Sequence, residues 1–179
     1  MAVTSTNLIQ GPATIYFGVF GATEPATVAT APGVGWTDFG GTQEGITLKI
    51  DQEFADLTVD QIVDVIQRRR TGRTISVGTS LAEPTLANLA TAIGNAAPAS
   101  NVLELDNDAS AFSPAYSAIL FDGIAPGGFR RRVIVRKTLQ TASIELAYKK
   151  DGMTVIPVEY SLHWVSTSIK PFKVEDATA

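Results

Sequence analysis

The sequence predicts a mainly β chain with one flanking α-helix and one long β-ribbon. Three observations lead there. Ile46, Leu48 and Ile50 alternate with Thr47, Lys49 and Asp51, and Ile75, Val77 and Leu81 stand opposite Thr74, Ser76, Gly78 and Ser80. A period of two marks strands with one dry and one wet face. Residues 84–93 are the one convincing stretch with apolar residues at three-to-four spacing. The C-terminal half holds several β-rich runs, two of them joined by Lys149-Lys150-Asp151-Gly152, and Asp-Gly is a strong hairpin signal.

Taken in order, residues 1–11 open on a polar stretch and are expected to form an N-terminal arm able to order on a neighbour. Residues 13–20, rich in aromatic and β-branched side chains, read as the first strand. Residues 21–35, with Pro25 and Pro32, read as a loop. The ribbon spans residues 36–81. It opens at Trp36, runs through Ile46 to Asp51 and on to Val59-Asp60-Gln61, turns at Arg68-Arg69-Arg70-Thr71-Gly72-Arg73, and returns from Ile75 to Leu81. Ile62, Val63, Val65 and Ile66 lack strict alternation, which implies a bulge or burial on both faces. An isolated ribbon is only marginally stable in water, so this one is expected to pack against other copies.

In the helix at 84–93, Pro84 suits the first turn, Leu86, Leu89, Ala90 and Ile93 form the apolar face, and Gly94 supplies the stop. Residues 94–113 read as a solvated loop. Asp106-Asn107-Asp108 lacks the glycine and distal glutamate of a calcium loop. Strands are expected at 115–121, 129–139, 141–148 and 154–164. Pro157 removes a ladder donor and marks a local edge or bulge. Residues 169–179 form a final segment that starts extended.

At 179 residues the chain suits one domain, 1–179, long enough to bury a sizeable core. Charged residues make up 18%, below the roughly one quarter usual for a soluble domain, so part of the surface is expected to be covered by protein partners. A net charge of −4 argues against an electrostatic trap for nucleic acid. The absence of cysteine removes disulfides, thiolate nucleophiles and cysteine-based metal sites. Apolar runs fall short of a membrane span and the N-terminus lacks the features of a secretion signal, so a soluble chain without membrane partners is expected.

Chemistry is harder to find. His163 is the one histidine, without a second histidine or a cysteine to complete a metal site or triad, and reads as structural or surface. Gly123-Ile124-Ala125-Pro126-Gly127-Gly128 lacks the lysine and setting of a phosphate loop and reads as a turn. Asp51 and Glu53 share a polar strand face, where solvated charge is commoner than an acid/base pair. No catalysis, cofactor or metal is expected. Arg68, Arg69, Arg70 and Arg73 are candidates for an inter-subunit ion-pair seam. That reading is preferred to phosphate contact because the chain is acidic and the cluster is placed at the ribbon tip. Arg130, Arg131 and Arg132 start a strand and read as its solvated end.

Gly35-Trp36-Thr37-Asp38-Phe39-Gly40, Thr42-Gln43-Glu44-Gly45, Val59-Asp60-Gln61, the Arg70 to Arg73 segment, the helix after Leu81-Ala82-Glu83 and Val155-Ile156-Pro157-Val158-Glu159-Tyr160 together resemble the tail tube (major tail) proteins of phages with long non-contractile tails. The likeness runs from Gly11 to Val174. It implies a β-sandwich or half-barrel with one flanking helix, assembled as hexameric rings stacked into a tube in the virion after synthesis in the host cytoplasm. The implied partners are further copies, the tape measure protein in the lumen before ejection, tail tip and tail terminator proteins at the ends, and double-stranded DNA in transit. A lumen should not hold DNA, because basic linings gain affinity by counterion release whereas acidic or small polar ones let the duplex slide. Thr47, Asp51, Glu53, Thr74, Ser76 and Ser80 are the lumen candidates. Lys49 fits badly and would need a neutralising carboxylate beside it. Rival readings are a tail terminator, a head–tail connector, the inner tube of a contractile injection system, or a β-barrel carrier or adhesion domain with an apolar cavity.

Overall fold

The structure, a computed structural model, describes residues 11–105, 107, 112–125 and 128–177. Among them are β1 (Ala13–Val19), β2 (Trp36–Asp38), β3 (Thr42–Val59), β4 (Ile62–Leu81), α1 (Leu86–Ile93), β5 (Ser117–Ile124), β6 (Arg130–Gln140), β7 (Ile156–Leu162) and β8 (Phe172–Asp176). The strands form one antiparallel sheet in the order β2-β1-β5-β6-β7-β4-β3, with β8 also paired to β6. The chain is therefore mainly β with a single helix among the described residues.

The sheet is covered on both faces. On one, Ile15, Val77, Leu81, Ile119, Val133, Val135, Ile156, Val158 and Tyr160 form the main core with Phe39 and Ala92 of α1. Three strands separate β1 from β4, yet Ile15 and Leu81 share this cluster, so the sheet curls around its own core. A fully buried side chain such as Ile119 or Leu81 contributes about 1.5–3 kcal/mol. On the other face Trp36, Ala118, Leu120 and Ile134 lie beneath the 20–35 loop. Double coverage explains the consecutive apolar runs Ala118 to Phe121 in β5 and Val133 to Val135 in β6.

That loop is tied down. Trp36 Nε1 donates to the Thr23 carbonyl at 2.8 Å. Arg132 forks onto Asp122 at 2.7 Å through both Nε and Nη2, and its Nη1 donates to the carbonyls of Thr27 and Thr30, each at 2.8 Å. The solvated-end reading of Arg130, Arg131 and Arg132 is thus corrected for Arg132, whose side chain is 1% exposed. Register sets Arg132 opposite Asp122 on β5, and the loop covers that face.

Helix α1 begins later than expected. Thr85 is its N-cap, with its hydroxyl accepting from the Asn88 N–H at 3.1 Å, so Pro84 precedes the cap instead of occupying the first turn. Gly94 ends the helix in the left-handed conformation that glycine adopts without a Cβ penalty (φ 71°). Residues 141–148 are not a strand. Ile144 and Leu146 do pack on the core in alternation, but the segment joins no ladder. Pro157 sits as anticipated at a local edge. The β6·β7 pairing ends at Gln140↔Tyr160, which leaves β7 open on that side while Ser80 pairs with Pro157 on the other.

The C-terminal segment supplies β8, whose last residue Asp176 accepts from Arg131 Nε at 2.6 Å and Nη2 at 2.8 Å. The hydrogen bond and charge of Arg131 hold the Asp176 carboxyl below its ordinary value of 3.8. A depressed folded pKa means the contribution is full above the unfolded value and is lost as pH falls through the folded one. The Val174 amide resonance should therefore shift with an acid step below pH 3.8, and Asp176→Asn should abolish that step. An unchanged titration in the variant would show that the pair does not hold β8.

The N-terminal arm up to residue 10, together with Asp106, Asp108, Pro126 and Gly127 of the proposed loop and turn, lies outside the described residues.

Candidate assembly surface

The ribbon is built from β3 and β4, residues 42–81, and not from Trp36 onward. Trp36 belongs to β2 at the opposite edge of the sheet, paired through Gly18↔Trp36. Its turn is Asp60-Gln61, closed by the Val59↔Ile62 pair, so Arg68 to Arg73 lies within the β4 arm and not at the tip. The Thr71-Gly72 signal that suggests a turn marks a bulge between Glu53/Phe54. The Glu53 side chain crosses Gly72, with Oε2 2.8 Å from where a Cβ would stand, so a larger residue there would push that exposed carboxylate aside.

Near the tip the ladder passes from Leu57↔Gln67 to Val59↔Ile62, which sets Val63, Asp64, Val65 and Ile66 against Thr58 alone. The bulge expected for this apolar run is present, but burial on both faces is not. Phe54, Leu57, Val59, Ile62, Val63, Val65 and Ile66 are all at least 41% exposed. They stay exposed because β7 supports β4 only from Ser76 to Leu81, which leaves the rest of the ribbon free of the sheet. The outer edge of β3 has no strand beside it among the described residues.

The polar candidates fall together. The pairs Thr47↔Gly78, Lys49↔Ser76 and Asp51↔Thr74 place them on one face, and Ser80 follows Ser76 at even spacing along β4. Glu53 pairs with Gly72 on that face. Ser161 and Glu159 of β7 extend it opposite Ser76 and Gly78. Ser76 is buried, whereas Thr47, Asp51, Glu53 and Thr74 are exposed. The basic outlier is neutralised locally. Lys49 Nζ lies 2.7 Å from Asp51 Oδ2, and that bond and charge, with a smaller contribution from Glu159, raise the lysine above its ordinary value.

The arginine candidates do not act as one group. Arg68 pairs with Asp56 at 2.8 Å within the ribbon. Arg70 lies 5.9 Å from the Phe54 ring centre, Arg69 is opposite Ala55, and Arg73 is opposite Gln52. Sequence reading missed the intraribbon Arg68–Asp56 pair because it set the turn eight or more residues too late, which hid the register between them.

His163 follows β7, with its ring 5.3 Å from Tyr116 in an edge-on contact. Among the described residues no group of three or more His, Asp or Glu is placed to hold a metal ion, and no helix is long and apolar enough to cross a membrane. A cleft of about 400 Å³ lies between the 20–35 loop and the sheet, lined by Phe20, Trp36, Ile134, Val165 and Ile169 with Glu24 and Arg136. Its charged groups are already satisfied. Arg136 pairs with Glu24 and donates to the Lys170 carbonyl, so the cleft lacks the convergent free polar groups of a ligand site.

No protein-family model matches the chain, and no curated protein matches it.

Proposed function

We propose that the chain is a structural subunit that assembles with further copies into stacked rings, forming the tail tube of a phage with a long non-contractile tail. The observation that carries this reading is the free ribbon with its row of exposed apolar side chains. Such a surface is rare on a monomer and marks a protein interaction site. The open edge of β3 adds to it, because an unpaired edge invites another chain and closure around a ring removes it. The curled sheet with its single helix fits the half-barrel that the sequence resemblance implies.

In this reading the polar face of β3, β4 and β7 lines the lumen. Thr47, Asp51, Glu53 and Thr74, with the half-buried Ser80, offer a small-polar and acidic lining, Ser76 is buried behind it, and Asp51 neutralises Lys49, which would otherwise grip phosphate. The tape measure protein would fill that channel before DNA passes, and tip and terminator proteins would close its ends. The protein acts by geometry, through a contact around the ring and another along the axis that propagates as a filament.

Light scattering on a sizing column, followed by negative-stain microscopy of the same fractions, tests the assembly. Hollow stacked rings are expected. Single rings that never stack would replace the tube with a connector or terminator, and a monomer that persists with the tail tip complex present would sink self-assembly. The lining has its own test. Asp51→Arg with Glu53→Arg should leave tubes intact and slow genome ejection by about tenfold or more, from added phosphate contacts. Ejection at the normal rate would remove these residues from the lumen.

A further inference from the structure

We infer that the ribbon carries both halves of a head-to-tail contact, in which the acidic turn of one copy seats in an arginine-lined concavity on the ribbon of a second copy. This rests on the self-assembly reading and names the contact that would serve it. The concavity, about 480 Å³, lies where the wide bulge opens the ladder and is lined by Leu57, Gln67, Arg68, Arg69 and Arg70. Arg68 is paired with Asp56, but no carboxylate among the described residues pairs with Arg69 or Arg70. Arg70 leans over the Phe54 ring on one face, whereas Arg69, opposite Ala55, shares the other face with Leu57 and Gln67. A free guanidinium beside an apolar residue suits an occupant that is acidic and apolar together, since arginine matches carboxylates in bidentate fashion.

The ribbon's own turn has that composition. Asp60 and Asp64 are exposed and free of ion pairs, and they flank Ile62 and Val63, which are exposed as well. Within one copy Asp60 and Asp64 pair with neither arginine, and the seven strand steps of β4 from Ile62 to Arg69 hold the tip roughly 23 Å from Arg69. The turn of a second copy can reach it. The two surfaces differ, so the contact is heterologous and leaves an unused half at each end, as a growing assembly requires. With 18 acidic against 14 basic residues the chain is acidic overall, which favours a protein carboxylate over a nucleic acid as the occupant.

Charge reversal with complementation tests this contact. The full-length variants are Asp60→Lys with Asp64→Lys, and Arg69→Glu with Arg70→Glu. All four positions are exposed, so thermal unfolding should match the wild type. Each variant alone should need about 100-fold more protein to assemble, because like charges then face each other across the contact. In an equimolar mixture every junction can pair opposite charges, so assembly should return to within about tenfold of wild type. Either variant assembling like wild type overturns the docking while leaving the self-assembly reading in place. A mixture as poor as its components also overturns it. If only the arginine variant fails and it alone loses binding to a short double-stranded DNA, the concavity is a phosphate site instead.

Discussion

Replacing Arg132 by methionine should lower the unfolding free energy by about 3–5 kcal/mol, a large share of the roughly 5–15 kcal/mol that holds a domain folded. Arg132 is the largest fully buried side chain among the described residues, and its guanidinium serves three acceptors at once. Methionine fills most of the volume but leaves the Asp122 carboxylate without its partner and two loop carbonyls without a donor. Stranding a buried charge costs more than losing an ion pair as a unit, so the companion variant discriminates. Adding Asp122→Leu to Arg132→Met should recover part of the loss, while the bare carbonyls of Thr27 and Thr30 keep it below wild type. Urea unfolding of the three variants measures this directly. A single-variant loss under about 1 kcal/mol, or a double variant worse than Arg132→Met, would show that the clamp does not anchor the loop.

Much of the sheet could be read from period and punctuation, and its failures have physical causes. Ile46 and Leu48 announced β3, and Ile75 and Val77 announced β4, because these side chains are covered where the ribbon joins the sheet, whereas Ile50 just beyond them is 46% exposed. The turn was misplaced because Thr71-Gly72 looks like a turn, whereas Asp60-Gln61 is not one of the usual hairpin pairs. Local glycine signals do not distinguish a turn from a bulge that brings a neighbouring side chain close. Trp36 was joined to the ribbon by proximity in sequence, although the chain between β2 and β3 crosses from one edge of the sheet to the other. The stretch at 141–148 alternates because its face meets the core, and alternation records burial without recording ladder bonds. Arg132 was invisible as a buried residue since arginine is seldom buried and its partner Asp122 is revealed only by register.

The polar face was legible for the same reason as the strands, since even spacing along β3 and β4 gathers Thr47, Asp51, Thr74 and Ser76. The apolar run of the tip was legible as irregular, but not as exposed. Ile62, Val63, Val65 and Ile66 have the composition of core residues, and only the limited span of β7 shows that nothing in this chain covers them. A residue with core chemistry on a free ribbon points to burial that happens elsewhere.

That burial gives the largest effect expected on assembly. Ile62→Asp with Val63→Asp should leave monomer stability within about 0.5 kcal/mol of wild type, because neither side chain is buried in the isolated chain. Assembly should fall by about 100- to 1000-fold in the concentration required. Burying one such side chain contributes about 1.5–3 kcal/mol, and two of them at one contact amount to several kcal/mol. The two readouts separate the causes. Loss of both stability and assembly would mean that the ribbon tip supports the monomer, against the exposure seen here. Loss of neither would mean that the row of apolar side chains has no partner, and the tube reading would lose its main support. Loss of assembly alone, measured by sizing with light scattering and by urea unfolding on the same preparation, is the outcome that a ribbon built to be covered by another copy requires.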